Sequence, residues 1–588
     1  MSRRTASGRP LLGAEAVAGG VRFAAFTSAE RCAVSVIGAE GHELKVLPLE
    51  ALGAGYFELL VPGLGPGARY FFVVDGRRLP DPYARFLPEG PHGPAEVVAP
   101  GYAFRHRPAL RPLAEQVLYE LHVGTFTEAG TYAAAAERLP LLAELGITTL
   151  ELMPLAAFAG ERGWGYDGVA LFAPHAPYGT PDELRAFMDV AHGLGLSVLL
   201  DVVYNHLGPS GNYLGAYSPS YFREGVHNAW GNVPNFAEPA FRELVLENAR
   251  YWLTEFGFDG LRLDATHAIE DDSSRHILSE LAELARGLEP PRLLIAEDER
   301  NLAGLVTEVG LSALWADDFH HQSRVTVTAE RRGYFSAFEP GAAGLAEVIA
   351  RGWLYEGQPY PTTGKPRGTS AQPLAAQELV YCIQNHDQIG NRPFGDRLTA
   401  SVSAEMYRAL SMLLLFLPMT PLLFMGQEWA ATSPFLYFTD HEPELGRLVS
   451  EGRRREFSAF PEFEDPAQRE KIPDPQAEAT FLRSRLNWQE RSLGEHREVL
   501  ELYRAALLLR RTDPVLRDSR REGLSARAQG DVLLVRRALG SHCRVLVVNF
   551  GRESVALREV GLAEARPLLR SVAGPSGSLG PAQAILLA

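Results

Sequence analysis

Cysteine is scarce in this chain: three residues in 588, Cys32, Cys382 and Cys543, far apart and odd in number. That argues against a disulfide framework. Positive charge is also in deficit, with 57 Lys and Arg against 72 Asp and Glu and a net charge of −15. A chain of that balance offers no basic face, so neither nucleic acid nor an anionic membrane is an expected partner. Long apolar runs are missing. The longest, residues 412–425, is too short to span a bilayer and is broken by Pro418 and Pro421. The N-terminus, MSRRTASGRP, has charges with no apolar stretch behind them, so no signal peptide is expected and the chain reads as cytoplasmic. Internal repeats and low-complexity segments do not stand out.

What is present is ordinary globular material, 46% apolar and 22% charged, in a chain long enough for two to four domains. Residues 1–10 read as a disordered polar tail. From residue 20 to about 100 come strands without helices, VRFAAF, CAVSVIG, YFELLVP and YFFVVDG, set between turns rich in Gly and Pro. Their spacing predicts an immunoglobulin-like β-sandwich over residues 1–100, with the proline-rich stretch 80–98 lying against the next domain. Over residues 101–512 the pattern becomes strand-like runs alternating with amphipathic helices. Eight candidate strands appear at 117–123, 147–153, 197–203, 261–263, 292–297, 312–316, 379–385 and 421–425. Helices are expected at 133–145, 182–194, 239–256, 273–286 and 404–417, and also near 300–310 and 341–351. Thr180-Pro181-Asp182-Glu183 is a helix start with proline in the first turn. Eight such repeats predict an α/β fold, a TIM (β/α)8 barrel whose site lies at the C-terminal ends of its strands. A short insertion after the third strand (204–239) and a long loop near 318–370 interrupt it. Residues 513–588 then read as a small antiparallel β-domain with strands at 533–539, 543–550, 553–560 and 584–588.

The chemistry is expected where those strands end. The third ends in DVVYNH, placing Asp201, Asn205 and His206 there. The fourth, in GFDGLRLDATHAI, delivers Arg262 and Asp264. The fifth ends in LIAEDER, with Glu297 followed by Glu299 and Arg300. The seventh ends in QNHDQ, with His386, Asp387 and Gln388. Singly, each has a structural explanation; four strands ending this way point to one site. Cleaving a glycosidic bond needs an ionised carboxylate at the anomeric carbon and a protonated one at the leaving oxygen. Arg262, two residues before Asp264, is expected to hold that acid ionised, whereas burial behind Leu293–Ala296 is expected to keep Glu297 protonated. A metal is the rival use of such clusters. His320-His321 beside Asp317-Asp318 is the best candidate, but no ligand spacing recurs, so neither a metal nor another cofactor is expected.

DVVYNH (201–206), GLRLDATHAI (260–269), LIAEDE (294–299) and QNHDQ (384–388) resemble, in order, the four conserved regions of the α-amylase family of glycoside hydrolases. The resemblance implies retention through a covalent glycosyl-enzyme, with Asp264 as nucleophile, Glu297 as general acid/base and Asp387 as transition-state stabiliser. It implies that Arg262, His206, His386 and Asp201 set charge and hold the sugar, and that Tyr166, in GWGYDG, stacks beneath it. The N-terminal sandwich and YELHVGTFTEAGTY (119–132) are similar to those of the branching and trehalose-releasing members. DATHAI, EDERN, QNHDQIGNRPFGDRL and PLLFMGQEWAATSPFLYFTDH favour the latter, which act on maltooligosyltrehalose and related α-1,4-glucans. His267-Ala268 replaces the Lys-His pair that amylases often carry after the nucleophile. Candidates for the leaving-group side are Trp230, Glu299 and Arg300, with Tyr334, Phe335, Trp353, Tyr355 and Tyr360 from the long loop, and Gln388 is a further candidate for substrate binding. A branching transferase, another α-1,4-glucan hydrolase of the family and a non-catalytic glucan-binding protein are the alternatives, and both a monomer and a dimer remain open.

Overall fold

Eight short buried stretches pair side by side, all parallel, until the last meets the first. They are β1 (Leu118–Leu121), β2 (Thr149–Leu152), β3 (Ser197–Val202), β4 (Gly260–Leu263), β5 (Leu293–Ala296), β6 (Ala313–Trp315), β7 (Leu379–Tyr381) and β8 (Thr420–Phe424), and they close a barrel in chain order. The computed structural model describes residues 4–588 except 6–7, 39–40, 107–109, 229, 458–464 and 576. Within the described residues no helix is long and apolar enough to cross a membrane.

The barrel interior follows from the two-residue repeat of a strand, which sends alternate side chains to the same face. Leu118, Leu199, Ile295, Ala313, Val380 and Leu422 pack into an apolar floor separate from the outer core. Two residues further along their strands stand Glu120, Asp201, Glu297 and Trp315, and β4 contributes Arg262 at the same depth. The sequence thus switches from apolar to ionisable in one step up the barrel.

The helices around the ring start and stop on local chemistry. Thr180 accepts the Glu183 backbone N–H while the Glu183 carboxylate takes the Thr180 N–H at 2.7 Å, a complete capping box on the helix Pro181–Gly193. The helix expected over 133–145 is two, Tyr132–Ala136 and Leu139–Leu145, because Pro140 has no N–H to continue an earlier turn. Gly146, at φ 109°, ends the second in a conformation that disfavours other residues. The expected helix at 273–286 begins only at Ile277.

Before the barrel, two antiparallel sheets face each other. One runs Gly13–Val17, Gly20–Phe26, Tyr56–Pro62, Glu50–Gly53; the other runs Glu43–Pro48, Cys32–Ile37, Arg69–Val74, Arg77–Leu79, with Ala95–Glu96 also paired to Arg69–Val74. Residues 80–98 do lie against the barrel's loops. Tyr83 shares a 2.9 Å hydroxyl contact with Tyr221, and Tyr217 donates to the Pro80 carbonyl at 3.0 Å, both from the segment after β3. The expected disordered tail needs correction: residues 1–3, 6 and 7 lie outside the described residues, but Arg9 donates to Tyr56 at 3.0 Å and pairs with Glu243.

After the barrel, Leu524–Gln529, Val532–Leu539, His542–Asn549, Gln583–Leu587 and Pro567–Arg570 form one antiparallel sheet in that order. The strand expected at 553–560 is only Val555–Ala556; Leu557–Val560 turns as a 3-10 helix, burying Leu557 and Val560 in the small core beneath the sheet. The long loop expected near 318–370 is also corrected. It contains the helix Asp318–Thr328, which was not expected, and the helix Ala342–Arg351, which meets the expectation near 341–351.

Arg510, on the helix Gly494–Thr512, ties this end of the chain to the barrel. Its guanidinium is buried and donates to the carbonyls of Leu415, in the last turn of the helix Ala404–Phe416, and of Leu417 and Met419 just past it. Burial lowers its pKa to about 10, still protonated at neutral pH. Replacing Arg510 by Leu strips donors from three buried acceptors and should cost on the order of 3 kcal/mol. A lowered denaturation midpoint, with unchanged turnover per folded molecule, is the expected result; an unchanged midpoint would refute this role.

Candidate active site

The C-terminal rim of the barrel is organised on Arg262, which is fully buried. Its Nη1 donates to Asp201 at 2.8 and 2.9 Å and to Asp264 Oδ1 at 2.8 Å. Its Nη2 makes an ion pair with Glu297 Oε2 at 2.9 Å, and its plane lies 4.3 Å over the Trp315 ring. One fork-shaped cation therefore fixes acids from the ends of β3, β4 and β5, as the planar guanidinium is suited to do. Beyond β4 the chain turns through Ala265 at φ 38°, a conformation unusual for alanine. The turn aims the Ala265 N–H at Glu297 Oε2, 2.8 Å away. Asp264 Oδ2 accepts the Asn205 amide at 3.2 Å.

These surroundings set the protons. Burial, with the charges of Asp264, Asp387 and Asp317, outweighs Arg262 and raises the Glu297 carboxyl to about 8. The expected opposite push on Asp264 is corrected: burial there also outweighs Arg262, so its carboxyl too lies above its ordinary value. The two acids are thus shifted in the same direction. Oε2 of Glu297 faces both Ala265 N–H and Arg262, so a proton on that carboxyl belongs on Oε1.

A second arm comes from β1, β2 and β7. Tyr166 donates to Asp201 at 2.6 Å, lies 2.9 Å from His386 Nε2 and stacks on the His386 ring at 5.1 Å. His386 in turn is held by Glu120 from β1. Asp387 follows, accepting from Asn391 at 3.1 Å and lying 3.6 Å from His386 Nε2. His206 bonds the Tyr166 carbonyl at 2.9 Å and Asn205 at 2.7 Å, and Trp230 stacks on its outer face at 4.7 Å while staying half exposed.

Tyr166, Asp201, His206, Arg262, Asp264, Glu297, His386 and Asp387 thus come together, with Trp230 at their edge. Gln388 is reached from the other side by the Tyr334 hydroxyl at 3.3 Å. Arg300 is not drawn in, being taken by Asp298 at 2.6 and 2.8 Å, while Glu299 beside it is exposed and its backbone carbonyl accepts from Arg367 at 2.7 Å. Of the aromatic candidates in the long loop, Phe335, Trp353 and Tyr355 are buried packing residues, while Tyr334 remains exposed. Glu120, Glu151 and Trp315 stand in this layer without having been singled out from sequence. The signal was there for the two acids, each alone at an inward position of an otherwise apolar strand, in LYEL and TLEL.

Among the described residues, no three His, Cys, Asp or Glu are grouped to hold a metal ion. His320 is engaged by Asp317 at 3.1 Å, and Asp318 by Asn301, two backbone N–H groups and Arg367.

Residues 121–229 match the family described as "Alpha amylase, catalytic domain". Malto-oligosyltrehalose trehalohydrolase of Deinococcus radiodurans is 52% identical over 98% of this chain and 96% of its own. The enzyme of the same name from Rhizobium sp. is 46% identical over 77% of this chain and 78% of its own. The solved structure of a putative alpha amylase from Salmonella typhimurium superposes with a TM-score of 0.90 at 39% identity, covering 98% of this chain and 99% of that one. With this barrel and this rim, the chain belongs to the α-amylase family of glycoside hydrolases, on its malto-oligosyltrehalose trehalohydrolase branch.

Proposed function

We propose that this chain hydrolyses the α-1,4-glucosidic bond next to the terminal trehalose of maltooligosyltrehalose, releasing trehalose and a maltooligosaccharide with retention. The observation that carries the chemistry is Arg262 gripping Asp264 and Glu297 from one guanidinium. Two acids held that close favour the ~5 Å spacing of retaining enzymes over the wider gap that an inverting enzyme leaves for water. The kinship to trehalohydrolases over nearly the whole chain carries the choice of bond.

In this reading Asp264 attacks the anomeric carbon while Glu297 passes its proton to the leaving oxygen, and trehalose departs. Glu297, now a carboxylate, takes a proton from water, which displaces Asp264 and completes the second inversion. Asp387 and His386 hold hydroxyls of the distorted sugar, Tyr166 stacks beneath it, and His206 flanks it. Trp230 and Gln388 are proposed contacts for the sugars beyond the cleaved bond. Glu299 and Arg300 stay in that group as further candidates, Arg300 needing release from Asp298.

Products from maltopentaose and maltotriosyltrehalose, substrates of equal length, test the assignment. Trehalose should be released from the second with little cleavage of the first. Equal cleavage would make the chain a general α-1,4-glucan hydrolase, and longer products a transferase.

Asp264→Ala should fold and bind sugar with turnover reduced by roughly 10⁴-fold or more, the scale of losing a covalent nucleophile. Residual activity near a tenth of wild type would sink the assignment. Glu297→Gln should lose natural substrates but retain part of its rate on an activated leaving group that needs no proton.

The pH profile follows from the raised acid. Glu297 is protonated and able to act below about 8 and is a carboxylate above it, so kcat/KM should fall on the alkaline side with its midpoint near there. A rate that held steady through pH 9 would exclude Glu297 as the acid.

A further inference from the structure

The bonding behind His386 exceeds what a sugar-binding histidine needs. Glu120 is buried at an inward position of β1 and spends both oxygens on one residue. Its Oε2 accepts the His386 backbone N–H at 3.0 Å, and its Oε1 lies 2.5 Å from the ring Nδ1. The other ring nitrogen, Nε2, meets the Tyr166 hydroxyl at 2.9 Å. That hydroxyl gives its proton to Asp201 at 2.6 Å, so towards His386 it can only accept. Both ring nitrogens of His386 therefore face acceptors, a pattern that only the imidazolium satisfies.

A second acid stands alongside. Glu151 is the register partner of Glu120 on β2 and equally buried, yet neither of its oxygens has a hydrogen-bond partner among the described residues. Two neighbouring buried carboxyls do not both ionise readily. The one with two donors is the better anion, and the one with none is better neutral.

The geometry points to Glu120 as a positioning residue: its negative charge keeps His386 doubly protonated and fixes the His386-Asp387 pair at the barrel mouth, with Glu151 as its uncharged neighbour. This rests on the proposed function, in which His386 and Asp387 hold the sugar. The groups facing His386 are Glu120 from β1, His122 just after it, Glu151 from β2, Tyr166 from the following loop, Asp201 from β3, Arg262 from β4, and Asp387 beside it. Burial works against the imidazolium, but Glu120 and Asp387 outweigh it and raise the ring to about 9. Burial brings His122 down to about 4, leaving it neutral.

Glu120→Gln keeps the shape and removes the charge. Its amide also sets a donor against one of the two bonds that Glu120 accepts, so a pH-independent loss of several fold is expected even at pH 5, where His386 stays protonated and the total loss should be smallest. At pH 8 the loss should grow by a further factor of roughly ten: without the carboxylate the His386 ring should drop by about two units, below the Glu297 carboxyl at about 8 that sets the wild-type limb, so the alkaline limb moves downward by about one unit. Glu120→Asp keeps the charge on a shorter reach, so its rate should fall without movement of the limb. Glu151→Gln, which mimics a protonated acid, should keep the wild-type profile. A uniform loss in Glu120→Gln with an unmoved limb, or a Glu151→Gln limb that moves as far, would overturn the assignment.

A readout independent of turnover is at hand. Trp164 and Trp315 stand 5.7 and 6.3 Å from the His386 ring, close enough for an imidazolium to quench their emission. In wild type that emission should recover as pH passes about 9, and in Glu120→Gln about two units lower. Coincident recovery curves would refute the role of Glu120. A shifted recovery in a protein that leaves maltotriosyltrehalose intact would instead keep this inference and sink the proposed function.

Discussion

Everything at the barrel rim depends on a positive charge that has no access to water. Arg262 is enclosed by Asp201, Asp264 and Glu297 and roofed by Trp315, and three strands end against it. Burying such an ion costs several kcal/mol, which only well-made pairs repay. Lysine could not replace it. An ammonium is a point charge with no fork, so it could not reach Asp201 and Asp264 from one nitrogen while facing Glu297 from the other. The same cation that satisfies these acids also spaces them, so stability and chemistry at this rim share one cause.

The acids outnumber the cations there, and this decides which of them carry protons. Arg262 and a protonated His386 face Asp201, Asp264, Glu120, Glu151, Glu297 and Asp387. In a dry interior the surplus cannot all ionise, so protons settle on the carboxyls with the fewest donors. Glu151 has none, and Glu297 has a backbone N–H and one edge of Arg262. Asp264 has Arg262 and Asn205, and burial raises its carboxyl as well. The two acids thus share one direction of shift, each held by Arg262 and one amide donor.

Much of this was legible in the chain. The eight barrel strands are apolar runs with turn residues at both ends, and strand ends are where this architecture gathers its polar groups. What escaped the sequence was decided by contacts made across the fold. Glu120 was not singled out because its partner, His386, lies 266 residues away. Arg262 was rightly read as adjacent to Asp264, but burial, which a two-residue spacing cannot express, reversed the net effect on that acid. Arg300 looked free to meet a ligand, yet Asp298 two residues earlier claims it. The segment 553–560 has the composition of a strand and becomes one only at Val555–Ala556, where Ser578–Leu579 offers a ladder.

The distribution of rigidity separates cleaving from choosing. The acids and their cation sit on strands, in a layer supported from below by Leu118, Leu199 and Ile295, where a displaced atom would disturb the whole barrel. The groups proposed to select the substrate lie nearer the surface: Trp230 stacks on His206 while staying half exposed, and Gln388 meets the hydroxyl of the exposed Tyr334. The segment after β3 that carries Trp230 is also the one the N-terminal sandwich packs on, through Tyr217 and Tyr221. That sandwich therefore buttresses the loop bearing a proposed substrate contact, whether or not it binds glucan itself. Changes of bond preference in such an enzyme would arise most cheaply in these rim contacts, because altering them leaves the ionic layer beneath intact.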